Sequence, residues 1–218
     1  MRVVYLHGFA SSPNSSKAQF FRRKFAERGI EINIPILDEG RFEELTISGQ
    51  LAVIGRAVGD QSAILIGSSL GGYLAALYTA RHQSQIERLV LLAPAFQFPS
   101  RWQERYPLED WKRQGSIEVF HYGHGQERKL GYQFAEDAVQ YEDEPEFPQP
   151  ALILHGTRDT VVPARISSAY ASQRPNVKLV LLESGHELTD VLEPMWLEVS
   201  SFLSVPESIE TGSKLKTA

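Results

Sequence analysis

Two kinds of stretch alternate along the chain. Short runs dominated by β-branched and aliphatic residues occupy positions 2–6, 30–37, 63–66, 86–92, 151–155 and 177–182. Runs of that length, closed by glycine, proline or acidic turns, predict strands. Between them apolar residues recur at helical spacing. Phe20, Phe21, Phe25 and Ala26 lie on one face of a helix that Ser15 or Ser16 can cap and Gly29 ends. Leu51, Val53, Ile54 and Val58 mark a second helix, capped by Thr46. Residues 73–82, 163–173 and 190–202 predict three more.

Strands that alternate with helices, without a hairpin signal between them, predict a mostly parallel sheet covered on both faces. The expected fold is α/β, with three layers and six strands in the order 2-1-3-4-5-6. The order then reverses between the first and third strands, and ligands of such sheets bind outside the carboxyl ends at the reversal. Residues 95–150 interrupt the alternation. They are dense in aromatic residues and broken by proline and glycine. They predict an inserted cap of short helices, with or without a hairpin, after the fourth strand. Residues 1–203 are then expected to form one domain carrying this cap, and residues 204–218 a polar, disordered tail.

Composition narrows the function classes. A net charge of -5 gives no support for nucleic-acid binding. The chain has no cysteine, which removes disulfides, thiolate zinc sites and cysteine chemistry. No segment is long and apolar enough to span a bilayer. Residues 1–6 read as a strand and lack the longer apolar region of a secretory signal, so a cytoplasmic location is expected.

Chemistry enters at residues 67–71, Gly-Ser-Ser-Leu-Gly, which place Ser69 at the centre of G-x-S-x-G between a strand and a helix. Alone, five residues with two glycines could equally be a packing turn or an anion site. In strand–turn–helix context the pattern predicts a sharp turn that lifts a serine hydroxyl above the sheet. Such a serine needs a base and an orienting carboxylate. Of the six histidines, His82 ends a helix, His121 and His124 lie in the cap, and His7 and His155 precede glycines at strand ends. Only His186 lies in the loop after the last strand, and it is the candidate base. Asp159, in the loop after the preceding strand, is the candidate acid, although an aspartate there could instead form an Asx-turn or cap the following helix. The backbone N–H groups of Phe9 and Leu70 are the candidate oxyanion donors, with Gly8 allowing close approach. No metal site is expected: no two histidines stand at i, i+4 with a carboxylate between them.

The order Ser69, Asp159, His186 resembles that of α/β hydrolases. The head, residues 5–18 (Tyr-Leu-His-Gly-Phe-Ala-Ser-Ser-Pro-Asn-Ser-Ser-Lys-Ala), is similar to that of the small bacterial esterases of the YqiA type. So are residues 67–72, 155–159 and 184–186. The chain lacks the two strands that precede His7-Gly8 in larger hydrolases. The resemblance implies hydrolysis of carboxylic esters or thioesters without a cofactor. A peptidase or C–C bond hydrolase on the same three residues, or a binding module on a hydrolase scaffold, stays open. The expected partner is a small-molecule ester, with neither nucleic acid nor membrane. The aromatic cap predicts a small apolar pocket, with Phe96, Trp102 and Trp111 as lining residues and short acyl groups preferred.

Overall fold

The computed structural model describes residues 1–207, apart from the side chains of residues 104 and 105. Most of the tail expected from residue 204 therefore lies outside the described residues. Strands β1 (Val3–Leu6), β2 (Ile32–Asn33), β3 (Ala63–Ser68) and β4 (Ile86–Leu92) alternate with helices α1 (Ser16–Ala26), α2 (Ile47–Val58) and α3 (Leu70–Arg81). The cap follows as α4 (Phe98–Arg105), α5 (Leu108–Gln114), a hairpin of β5 (Ser116–His121) and β6 (Gln126–Gly131), and α6 (Gln133–Ala138). The alternation resumes with β7 (Ala151–Gly156), α7 (Ala164–Ser172), β8 (Val177–Leu182) and α8 (Leu192–Leu203).

The main sheet is six-stranded and parallel, in the order β2-β1-β3-β4-β7-β8. The cap hairpin takes the numbers five and six, so this is the expected order of the sheet strands. Side chains along each strand alternate between its two faces. Val4 and Leu6 of β1 join a core with α2, α3 and the cap, whereas Val3 and Tyr5 join one with α1 and α8. The cap aromatics Phe96, Phe98, Trp102, Trp111 and Phe134 belong to the first of these clusters instead of forming a core of their own.

Two boundaries differ from expectation by more than two residues. β2 is only two residues long, not the whole of 30–37. Pro35 has no N–H to donate to a ladder, and Ile36 is exposed on this edge. Helix α3 begins at Leu70, before Tyr73, because the Ser69 carbonyl already accepts from the N–H groups of Gly72 (2.9 Å) and Tyr73 (3.1 Å). At α2 the Thr46 side chain accepts from Gly49 N–H and caps the helix as expected; Ser15 stands at the N-cap of α1 without a side-chain capping bond.

Candidate active site

Ser69 stands between β3 and α3 with φ 53 and ψ -117, a left-handed backbone for a residue with a Cβ. Its neighbours hold it there. Its N–H donates to Leu92 O (2.9 Å), and its carbonyl also accepts from Ala95 N–H (3.0 Å). The two glycines of the pattern are steric necessities. A Cβ on Gly67 would strike the Gly71 carbonyl and come within 2.7 Å of Gly72 Cα. A Cβ on Gly71 would strike the Leu6 carbonyl and come within 2.6 Å of that of His7. The turn is therefore wedged between the ends of β1 and α3.

The loops after β7 and β8 converge on this serine. Ser69 Oγ lies 2.9 Å from His186 Nε2, and His186 Nδ1 lies 2.7 Å from Asp159 Oδ2. The carboxylate accepts, so the imidazole proton sits on Nδ1 and leaves Nε2 to accept from the hydroxyl. The Asp159 side chain is fully buried and that of His186 is 12% exposed. Asp159 is thus screened from water while the histidine edge remains reachable.

Asp159 does two jobs at once. Oδ1 accepts from the N–H groups of Val161 and Val162, both at 2.8 Å, which is the Asx-turn its sequence also allowed. Oδ2 faces His186, and also His155 Nε2 at 3.1 Å. Burial by itself would raise its pKa. The hydrogen bonds from His155, His186 and Val162 outweigh that and hold the carboxyl well below the usual carboxylate range.

His155 and Lys17 had no site role in the sequence reading. His155 is the penultimate residue of β7, fully buried, with Nε2 near two acceptors, Asp159 Oδ2 and Val162 O (2.8 Å). Nε2 therefore carries the hydrogen, and Nδ1 accepts from the Ser167 hydroxyl at 2.8 Å. Its signal was the spacing of four residues to Asp159 across a tight loop. Lys17 is buried on the apolar face of α1, and its Nζ donates to Glu187 O at 2.6 Å, one residue past His186. Burial lowers its pKa. A lysine on the face that carries Phe20 and Phe21 was the available clue.

The other predicted residues are distributed as follows. Leu70 is the first residue of α3, where the N–H has no partner within the helix. Gly8, just before Phe9, packs against the serine: a Cβ there would lie 3.5 Å from Ser69 Cβ. The Phe9 ring meets Trp102 edge-on, with centroids 5.0 Å apart. The Trp102 indole nitrogen is buried without a hydrogen-bond partner. Phe96 is fully buried and stacked on Tyr170 at 4.0 Å. Trp111 is equally covered, its indole N–H donating to Leu130 O at 3.1 Å. Of the three, Trp102 packs against Phe9 with an unpaired indole nitrogen, and Phe96 and Trp111 are almost wholly covered. Among the described residues no cluster of three histidine or carboxylate side chains could hold a metal ion, and no helix is long and apolar enough to cross a membrane.

A parallel sheet in this order, with a serine turn after β3 and an aspartate and histidine after β7 and β8, defines a protein of the α/β-hydrolase fold. Solved structures agree. Est1E from Butyrivibrio proteoclasticus, with ferulic acid bound, superposes with a TM-score of 0.79 at 24% identity, over 93% of this chain and 88% of that one. The α/β hydrolase domain-containing protein 10 from mouse gives 0.78 at 19% identity, over 93% and 89%. A pyrethroid hydrolase from Sphingobium faniae JZ-2 gives 0.67 at 14% identity, over 94% and 98%. No curated protein sequence matches the chain. The chain belongs to the uncharacterised protein family UPF0227, the YqiA-type family, whose model matches residues 2–203.

Proposed function

We propose that the protein is a serine hydrolase of small carboxylic esters or thioesters. The observation behind this reading is the continuous hydrogen-bonded chain Ser69 Oγ, His186 Nε2, His186 Nδ1, Asp159 Oδ2, anchored on a positive-φ turn. His186 takes the Ser69 proton as Oγ attacks the carbonyl carbon. The tetrahedral oxyanion receives the N–H groups of Leu70, at the positive end of α3, and of Phe9. Asp159 keeps His186 in the required tautomer and balances its charge once protonated. His186 then gives the proton to the departing alcohol or thiol, leaving Ser69 acylated. Water, deprotonated by the same histidine, releases the acid. Every step is a proton or acyl transfer, so the cycle needs no cofactor. Among fold neighbours, Est1E holds ferulic acid, a carboxylic acid of the kind an acyl-enzyme would release.

Fluorophosphonate labelling tests this directly, since only an activated serine reacts. A panel of p-nitrophenyl esters, acyl thioesters and peptide amides then identifies the bond cleaved. Labelling at Ser69 with ester turnover is the expected result. An unlabelled protein would make the scaffold a binding module, and turnover of amides alone would make it a peptidase.

A further inference from the structure

His186 is carried by a loop whose own ends are tied together. The loop runs between β8, which ends at Leu182, and α8, which begins at Leu192. Ser184, two residues before the histidine, is fully buried, and its hydroxyl donates to Oδ1 of Asp190, four residues after the histidine. Between these ends Leu188 is held at φ 53, a left-handed backbone that a bulky residue adopts only where its surroundings impose it. The Leu188 side chain is buried in the cluster with α1 and α8. The turn is therefore pinned from below by Leu188 and closed across its ends by Ser184 and Asp190.

The foot of this loop rests on the loop that carries Asp159. The backbone N–H of Arg158, next to the acid, donates to Ser184 O at 2.9 Å, and that of Thr157 donates to Leu182 O at 2.8 Å. A Cβ on Gly156 would strike the carbonyls of Ser184 and Gly185, so the two loops meet at the backbone. Ser184 thus joins both frames. Its carbonyl is fixed to the loop of the acid, and its hydroxyl to the far end of the loop of the base.

Two contacts of Asp190 could matter here, and burial decides between them. Oδ2 lies 3.8 Å from the Arg158 guanidinium, but the two side chains are 57% and 65% exposed, and an ion pair so open to water contributes little. The Arg158 guanidinium also donates to Glu183 O at 2.9 Å, a bond that needs no aspartate. The contact to Ser184 is different because its donor is shut away from water. No other group among the described residues accepts from that hydroxyl, so without Asp190 it is left unpaired. The same hydrogen bond holds the Asp190 carboxyl below its ordinary pKa, so it remains an acceptor throughout the range in which a histidine can act as a base.

We propose that Asp190 is a positioning residue for His186: by accepting from Ser184 it closes the loop around the histidine and keeps the imidazole between Asp159 and Ser69. The inference rests on the serine-hydrolase reading above, and it gives Asp190 no contact with substrate.

The test follows kcat, KM and the rate of fluorophosphonate labelling of Ser69 in the intact chain, with thermal denaturation to confirm folding. Asp190→Ala and Ser184→Ala each remove the contact. Each should lower kcat and the labelling rate about tenfold, the effect of one hydrogen bond to a charged group, with KM changed less than about twofold. Asp190→Asn keeps an oxygen for the hydroxyl and loses the ion pair, and should recover to within about threefold of wild type. Combining Ser184→Ala with Asp190→Ala should cost no more than either alone, because both remove one contact. Asp190 is exposed, so its variants serve even where Ser184→Ala does not fold. Wild-type labelling and kcat in Asp190→Ala would overturn the positioning role and leave the hydrolase reading standing. Asp190→Asn as slow as Asp190→Ala, or losses that multiply in the double variant, would overturn the assignment to the Ser184 bond. If Ser69 of the wild type is not labelled, the hydrolase reading fails and takes this inference with it.

Discussion

His155 and His186 meet at one oxygen, Oδ2 of Asp159, at 3.1 and 2.7 Å. One histidine faces the serine and the other faces the core, where Ser167 fixes its far nitrogen. The carboxylate is thereby aimed from behind. A hydrogen bond to a charged group is worth about 1.5–3 kcal/mol. His155→Leu should then lower kcat about 10- to 100-fold, with a smaller change in KM. His155→Gln keeps a donor and should recover part of the loss. Steady-state kinetics on folded variants decide this; a wild-type kcat in His155→Leu would reduce His155 to a packing residue.

Ser69, and not Ser68, is the nucleophile in the proposed reaction. Ser68 is the buried last residue of β3, whereas Ser69 faces His186. Ser69→Ala should abolish turnover, and Ser68→Ala should still be labelled by fluorophosphonate. A mass-spectrometric adduct on Ser68 would reverse the assignment.

Gly71→Ala should be severely destabilising. The added Cβ meets the carbonyls of Leu6 and His7, backbone atoms that cannot move without shifting β1. Overpacking typically costs about 1–3 kcal/mol, and a clash with backbone belongs at the upper end or beyond. Urea unfolding measures it, and a variant within about 1 kcal/mol of wild type would show that the turn relaxes more easily than its contacts imply.

Lys17 tethers the loop that carries His186, through the Glu187 carbonyl. Lys17→Met keeps the apolar stem and removes the donor. It should reduce kcat about tenfold, from one lost hydrogen bond at a positioning contact, with KM little altered. Lys17→Arg should restore part of the rate if a donor is what matters. Equal kcat in wild type and Lys17→Met would remove Lys17 from the site.

The depressed pKa of Asp159 has a consequence for acid stability. A carboxyl held below its unfolded value stabilises the fold above about pH 4 and loses that contribution as pH falls towards the folded value. The stability difference between wild type and Asp159→Asn should therefore shrink between pH 5 and pH 3. Denaturant midpoints across that range check it, and a difference that widens would contradict the sign.

The strand–helix alternation was legible because the sheet strands are largely apolar runs, and because α1 and α2 repeat their buried residues at helical spacing. Periodicity also located the cap, by its interruption. It could not resolve the hairpin of β5 and β6, whose residues alternate only weakly and include many charges. β2 was overread because Pro35 ends a run whose hydrophobicity continues through Leu37. The residues now gathered at Ser69 were legible because each sits at a strand end, where chain order maps onto place. His155 was passed over because its ring turns down into the core, and sequence does not say which way a strand-end side chain points. Nor could the sequence show how the cap aromatics pack: Phe96 stacks on Tyr170, and the Trp111 indole N–H donates to Leu130 O. Asp159 makes the Asx-turn contacts and the contact to His186 at once, one set on each carboxylate oxygen.

The cap and the sheet share one hydrophobic cluster, and that limits how the protein can move. Swinging the cap away as a body would bring Phe96, Phe98, Trp102, Trp111 and Phe134 into water. At about 2 kcal/mol for each large side chain, the total approaches 10 kcal/mol. That is as much as a whole domain has to lose before it unfolds, about 5–15 kcal/mol. Exposing Ser69 by swinging the cap as one body would therefore cost about as much as unfolding the domain, so any opening above it has to come from smaller movements within the packed cap.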